Sequence, residues 1–160
     1  MALLLLLLLQ VRTTGFKDYT IHWVINHLHW GNIAANLSLV DPPAFADINA
    51  GKSRPTDIVP SNLTGAALLE AYVTTATSMA ESWSAADPKV RLKWFGPDMS
   101  VRSSMTARLM ETWSHAQAVY DVLGVNRING DQIRNVAHVS SSLRILTTCL
   151  GLSFQFLARF

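Results

Sequence analysis

The clearest helical pattern in this chain of 160 residues lies in Trp94–Gly124, which reads WFGPDMSVRSSMTARLMETWSHAQAVYDVLG. The pattern predicts one continuous helix from about Met99 to Leu123. Asp98 or Ser100 can cap its beginning, and Gly124 is the residue type that commonly ends a helix. Working outward from this stretch, we find further segments of the same kind and none with the alternation typical of a strand.

Three other segments are predicted to be helical. The first runs from about Thr20 to Leu39, where Thr20 can act as the N-cap and Asp41-Pro42-Pro43 stops the helix. The second runs from about Asn62 to Ser84, after the polar loop GKSRPTDIVPSN. The last opens at residue 129 or 131 and continues to about residue 150. Together the four segments predict an all-α protein, a four-helix bundle formed by one domain.

Glu111 and His115 are the first candidate site residues, because they are four residues apart in the central predicted helix. That spacing places a carboxylate and an imidazole on adjacent turns of one helix face. Two ligands from one helix and a third from elsewhere can hold a divalent metal with a coordination position left open. The alternative without a metal is a solvated pair on the helix surface, and spacing alone does not exclude it.

The apolar pattern of the same helix favours the solvated surface pair. At 100° per residue, one stripe collects most of its large apolar side chains and is the predicted core face. This stripe consists of Met105, Leu109, Trp113, Ala116, Tyr120 and Leu123. Glu111 and His115 fall on the far side with Arg108, which predicts an exposed Arg108–Glu111 pair beside a surface histidine. A helix in a bundle can, however, present a second face to a central cleft.

The first predicted helix contains the candidates for a third ligand, in the segment HWVINHLHW. His27 shares a stripe with small residues, which let a neighbouring helix approach closely, so we expect His27 to point inward. His22 and His29 point the other way and are expected at the surface or the rim. The alternative for His27 is a hydrogen-bonded histidine of the core.

Composition limits the function classes. Charged residues are 15% of the chain and hydrophobic residues 49%, which suggests a missing partner or further chain, since typical domains are about 25% charged. The net charge is only +2, and no basic stripe with interleaved aromatics occurs, so we expect no nucleic-acid partner. The single cysteine, Cys149, excludes an internal disulfide and fits the cytoplasm.

The central stretch resembles a known family. The runs WFGPDMS, TARLMETWSHAQ and the later RNVAHV resemble actinobacterial metal-binding proteins of the DinB-like superfamily, related to the metal-binding N-terminal domain of mycothiol-dependent maleylpyruvate isomerases. The segment FKDYTIHWVINHLHW resembles the same family, with His27-Leu28 at its His-Leu position and Tyr19 where Trp is usual. The resemblance covers roughly residues 16 to 142. Relatives carry a carboxylate where this chain has Ala118.

The resemblance implies a site and a chemistry. His27, Glu111 and His115 would be the metal ligands, with zinc the first candidate for the divalent metal. His138, in RNVAHV, could be a fourth ligand, although a role in helix packing is the simpler interpretation. The implied function is a thiol-dependent transferase or isomerase, in which mycothiol or a similar thiol attacks an electrophilic small molecule. The alternative is a non-catalytic helical interaction or dimerisation module, such as a homodimer, whose metal is structural or absent.

The two ends of the chain depart from the family pattern. Residues 1–15, MALLLLLLLQVRTTG, do not look like the family's amphipathic first helix, which we expect to be missing or replaced. Residues 151–160 form an atypical tail after the predicted bundle of residues 16–150. The leucine run is about half as long as a bilayer span requires. It has no basic region before it and no A-x-A-like site after it, so we expect neither a membrane anchor nor a signal peptide. We expect instead a truncated or frame-shifted gene.

Overall fold

The structure is a computed structural model that describes residues 11–15, 17–53, 55–58 and 62–138. The helices that lie wholly within these residues are α1 (Ile21–Val40), α2 (Pro42–Asn49), α3 (Pro55–Ile58), α4 (Gly65–Ser84) and α5 (Val101–Leu123). Two short strands, β1 (Arg91–Leu92) and β2 (Met99–Ser100), form an antiparallel pair between α4 and α5. Residues 133–138 are helical as well. The predicted all-α class is confirmed.

Helix α1 is the centre of the fold, because α2, α4 and α5 all pack against it. Its buried side chains include Val24, Leu28, Ala34 and Ala35. A helix buried on several sides lacks a single apolar stripe. The small residues allow close approach, and one of the neighbours they admit is α5, which carries both Glu111 and His115.

The predicted end of the first helix is confirmed, but the chain beyond it is also helical. Thr20 caps α1 by accepting a hydrogen bond from the Trp23 N–H at 3.1 Å. Asp41 ends α1 and at once caps α2, accepting from the Ala44 N–H at 3.1 Å. Proline in the first turn of a helix loses no hydrogen bond, because its nitrogen would have no partner there. The two prolines therefore follow the end of α1 and also begin α2, and only the end of α1 was predicted.

Helix α5 has the predicted cap and end, and it begins at Val101, two residues later than expected. Ser100 accepts a hydrogen bond from the Ser103 N–H at 3.2 Å, and Gly124 ends the helix in the left-handed conformation with φ 66°. The expectation of no strands was wrong for β1 and β2. Each strand has two residues, too few to show an alternating pattern. Helix α4 begins at residue 65 rather than 62.

The aromatic residues between the strands pack onto the core. Trp94 and Phe95 lie 5.8 and 5.2 Å from the Phe45 ring, measured between centroids, and Phe45 is buried in α2. Phe95 also stacks on Trp30 of α1 at 5.6 Å. This cluster ties the β1–β2 connection to α1 and α2, directly before the start of α5.

Several predictions concern parts of the chain outside the described residues. These are the leucine run within residues 1–10, the last helix beyond residue 138, Cys149 and the tail of residues 151–160. The described part of the last helix starts at residue 133, later than expected. Among the described residues, no helix is long and apolar enough to cross a membrane.

Candidate metal centre

Helix α5 packs with the opposite face from the one that its apolar pattern predicted. Its buried residues are Val101, Ser104 and Arg108, whereas Met105 and Leu123 of the predicted core stripe are 43% and 42% exposed. The prediction of an exposed Arg108–Glu111 pair beside a surface histidine was therefore wrong. The polar face can be buried because α1 supplies partners for it, and a hydropathy pattern does not register such partners.

Arg108 makes the main polar contacts of this buried face, and it is only 7% exposed. Arg108 donates from Nε and Nη2 to Asn32 Oδ1 at 3.2 and 3.1 Å, and Nη2 also lies 3.4 Å from the Leu28 carbonyl oxygen. Burial lowers the pKa of Arg108, but an arginine starts from so high a value that it stays charged. This cation crosses from α5 to α1 one turn before Glu111.

His27, Glu111 and His115 come together between α1 and α5. Glu111 Oε2 lies 3.3 Å from His115 Nε2 and 3.6 Å from His27 Nε2. One donor atom from each of the three residues lies within 4.8 Å of the other two. Their side chains are 11% (His27), 17% (Glu111) and 16% (His115) exposed, so the cluster is largely shielded from solvent but still reachable. The structure thus places all three sequence-predicted ligands at one point.

Aromatic contacts orient the His27 ring. Trp23 stacks on it with a centroid distance of 5.1 Å and an interplanar angle of 6°. Tyr19 stacks in turn on the Trp23 ring, at a centroid distance of 3.7 Å. The His115 ring meets His27 edge-on at 4.7 Å and 70°. Because Trp23 is one helical turn before His27, α1 itself supplies the surface that holds the imidazole.

Glu111 is ionised in this environment. Burial opposes its charge and by itself would raise the pKa, but the imidazoles of His115 and His27 and the guanidinium of Arg108 outweigh burial and lower the pKa of Glu111 to about 2. The carboxylate therefore offers a full negative charge at neutral pH, in a position where water screens that charge poorly.

The donor set fits a divalent metal ion. Zinc bonds to histidine and carboxylate are about 2 Å long, so two donors on one ion lie about 3–4 Å apart. The distances of 3.3 and 3.6 Å between the histidine nitrogens and Glu111 fall in that range. His27 Nε2 is buried and has no hydrogen-bond partner, since 3.6 Å is too long for a hydrogen bond. Two imidazoles and one carboxylate also leave a coordination position open.

The other histidines take no part in this cluster. His22 lies within hydrogen-bond distance of Asn26, at 2.8 Å, and His138 is exposed. His29 was predicted at the surface or the rim, and this was wrong, because it is 3% exposed. Its stripe of α1 faces α4, where His29 and Ile33 line a cleft of about 460 Å³. The cleft is lined otherwise by Ile58, Leu63, Ala67, Glu70, Ala71, Thr74 and Thr75.

Sequence analysis missed Arg108 and Asn32 as parts of the site. Arg108 was seen only as an exposed partner of Glu111, and Asn32 was not considered. Gly31 carried a usable signal, because glycine inside a helix is unfavourable unless something needs the space beside it. That space is taken by the Arg108 guanidinium.

Comparison with known proteins shows the family of this chain. The sequence model of the mycothiol maleylpyruvate isomerase N-terminal domain family matches residues 10–120, which include all three clustered residues. This chain belongs to that family. The family is one of DinB-like metal-binding domains, and its match accounts for the helices from α1 to most of α5.

Curated relatives share the same region. Two Mycobacterium tuberculosis proteins, described as uncharacterized proteins MT0041 (strain CDC 1551) and Rv0036c (strain H37Rv), are each 35% identical to the chain over 138 residues. The alignment covers 82% of this chain and 54% of each relative, so the chain spans about half the length of the curated relatives it matches. No solved structure matches the chain significantly.

Proposed function

We propose that this chain binds one divalent metal ion through His27, Glu111 and His115 and acts as a thiol-dependent transferase or isomerase. Zinc is the metal we expect, mycothiol or a similar small thiol the cosubstrate, and an electrophilic small molecule the second substrate. The observation that carries the proposal is the meeting of three donors from two helices that are far apart in sequence. The single cysteine and the low net charge support a cytoplasmic protein without a nucleic-acid partner.

The ligand types favour zinc and leave room for a thiol. Neutral imidazole nitrogen and carboxylate oxygen suit Zn²⁺, and also Ni²⁺ or Fe²⁺. Three protein ligands are the usual number in a catalytic zinc site, whose further position takes water or substrate. When bound, the metal would deprotonate a thiol at that position and so supply a thiolate nucleophile.

The chain's own residues prepare the site for this chemistry. Glu111 stays ionised at neutral pH and offsets part of the charge of a divalent cation. Trp23 holds the His27 ring by stacking, so that less rotational freedom is lost when the ring becomes a ligand. The partial exposure of the three side chains permits a small thiol to approach while most bulk water stays out.

A thiol titration of the cobalt-substituted protein tests the proposal. Co²⁺ is a spectroscopic replacement for Zn²⁺, and a thiolate bound to it gives a charge-transfer band in the near ultraviolet. We expect this band when mycothiol is added to the wild type and to His22→Ala, whose histidine lies outside the cluster. Its absence in cobalt-loaded wild type would overturn the thiol chemistry, and a failure to bind cobalt would overturn the metal site as well.

The second candidate, a non-catalytic interaction or dimerisation module, rests on the exposed apolar residues around the end of α5. Leu123, Val125 and Ile128 are exposed, and Ile128 is 94% accessible. Sedimentation of the wild type and of Ile128→Asp distinguishes this candidate. Under it, the wild type dimerises and the aspartate variant does not, while His115→Ala leaves the metal content unchanged.

A further inference from the structure

A buried clamp joins α1 to α5 next to the candidate metal centre. It consists of Arg108, Asn32, Gly31 and the backbone carbonyl of Leu28. Arg108 makes two hydrogen bonds to one oxygen of Asn32, at 3.1 and 3.2 Å, and reaches the Leu28 carbonyl at 3.4 Å. Because the guanidinium is buried, these partners carry nearly all of its hydrogen bonding to α1 and cannot be replaced cheaply by water.

Gly31 makes the clamp possible. A Cβ atom at this position would lie 2.7 Å from Arg108 Nη1, 2.8 Å from Nη2 and 2.9 Å from Cζ. Carbon atoms do not approach other heavy atoms so closely, and the guanidinium is hemmed in by its own hydrogen bonds. Any side chain at Gly31 would therefore displace the Arg108 guanidinium from its position against Asn32.

Both sides of the clamp lie within one helical turn of a candidate ligand. On α1, the carbonyl that Arg108 contacts belongs to Leu28, the residue after His27. On α5, Arg108 is three residues before Glu111, so the two side chains project from adjacent turns of one face. A slip of one residue between the helices would move the ligands by about 1.5 Å relative to each other. Site geometry must hold to within about 0.5 Å.

We propose that Arg108 is a positioning residue, which fixes α5 on α1 so that Glu111 and His115 meet His27 in the arrangement that binds a metal. Asn32 is its acceptor, and Gly31 provides its space. This inference rests on the proposed metal site and goes beyond it, since none of the three residues is a candidate ligand. Partners that orient metal ligands typically contribute about 10- to 100-fold to metal affinity.

Cobalt titrations of matched variants test the clamp. We expect Arg108→Met to weaken the Kd for Co²⁺ by about 10- to 100-fold and to shift the visible bands that report coordination geometry. Arg102→Met is the control, because Arg102 is an exposed arginine of the same helix, and its Kd and bands should equal those of the wild type. Circular dichroism shows whether each variant is folded.

Gly31→Ala is the milder variant, and it isolates the contact itself. In the wild-type background it should weaken Co²⁺ binding by about 10-fold, whereas in Arg108→Met it should add nothing, because the guanidinium it would displace is gone. Equal losses in both backgrounds would overturn the clamp. So would an unchanged Kd in folded Arg108→Met while the wild type binds cobalt. Failure of the wild type to bind cobalt would overturn the proposed function, and the inference with it.

Discussion

Two faces of α1 each carry a histidine with a buried ring nitrogen, and the two histidines differ in their surroundings. His27 meets a carboxylate and a second imidazole from α5, and aromatic rings hold it in place. His29, two residues later, faces α4 across a mostly apolar cleft, and its Nδ1 has no hydrogen-bond partner. Burial and an unpaired nitrogen are common to both. Converging donors, rather than burial, therefore distinguish the candidate metal centre from an isolated core histidine.

The largest expected difference between the two faces is in metal binding on loss of a carboxylate. Glu111→Gln should abolish most zinc binding, because the neutral amide is a poor ligand that brings no charge to the site. Glu70→Gln makes the same change beside the His29 cleft and should leave zinc binding unchanged. Isothermal titration calorimetry measures both, and equal effects of the two variants would remove the distinction between the faces.

Replacing each histidine by leucine should change the stability of the metal-free protein in opposite directions. His29→Leu removes a buried polar atom that has no partner and should stabilise the fold by about 1 kcal/mol. His27→Leu removes an imidazole that lies 3.6 Å from the Glu111 carboxylate and helps to keep that carboxylate ionised, so it should destabilise the fold by about 1 kcal/mol. Urea denaturation gives both values. A stabilising His27→Leu would mean that Glu111 does not depend on this histidine.

The aromatic support of His27 should have a smaller effect. Trp23→Ala removes the ring stacked on His27, and we expect zinc affinity to fall by about 3- to 10-fold, in line with about 0.5–1.5 kcal/mol for an aromatic pair. Trp113→Ala is the control, since Trp113 packs against Arg127 and bonds to Asn129 instead. Competition with a zinc indicator dye separates the two variants, which should differ if stacking matters.

The smallest expected difference is in the response of metal-free stability to pH. Burial lowers the pKa of His29 below 6.5, so as pH falls below about 6.5 the unfolded chain takes up a proton first and stability is lost. The pKa of Glu111 is lowered from 4.5 to about 2, so its contribution is present above 4.5 and is lost as pH falls toward 2. His29→Leu should remove the loss of stability below pH 6.5 and leave the loss between pH 4.5 and 2 unchanged. A slope below pH 6.5 that is unchanged in this variant would contradict the assignment.

Sequence reasoning reached the helices and the three clustered residues by different routes. The caps at Thr20 and Ser100 and the stop at Gly124 were predictable, because each depends on neighbouring residues alone. The cluster of His27 with the residues of α5 was predicted from spacing and family resemblance, and no local pattern would have joined two helices so distant in the chain.

What could not be predicted is which face of α5 is buried. Its apolar stripe pointed to Met105 and Leu123, but Arg108 is buried instead. Arg108 can be buried because Asn32 and the Leu28 carbonyl of α1 accept its hydrogen bonds and because Gly31 leaves space for its guanidinium. A hydrophobicity pattern scores each side chain singly and therefore misses polar groups that satisfy one another across an interface.

The metal content of protein purified without a metal-affinity tag tests the central claim most directly. Mass spectrometry of the wild type, His27→Ala and His29→Ala compares the two faces of α1 in a single experiment, with circular dichroism as the check on folding. We predict about one equivalent of divalent metal in the wild type and in His29→Ala, and little in His27→Ala. Equal metal content in the two folded variants, or none in folded wild type, would contradict a metal centre at His27, Glu111 and His115.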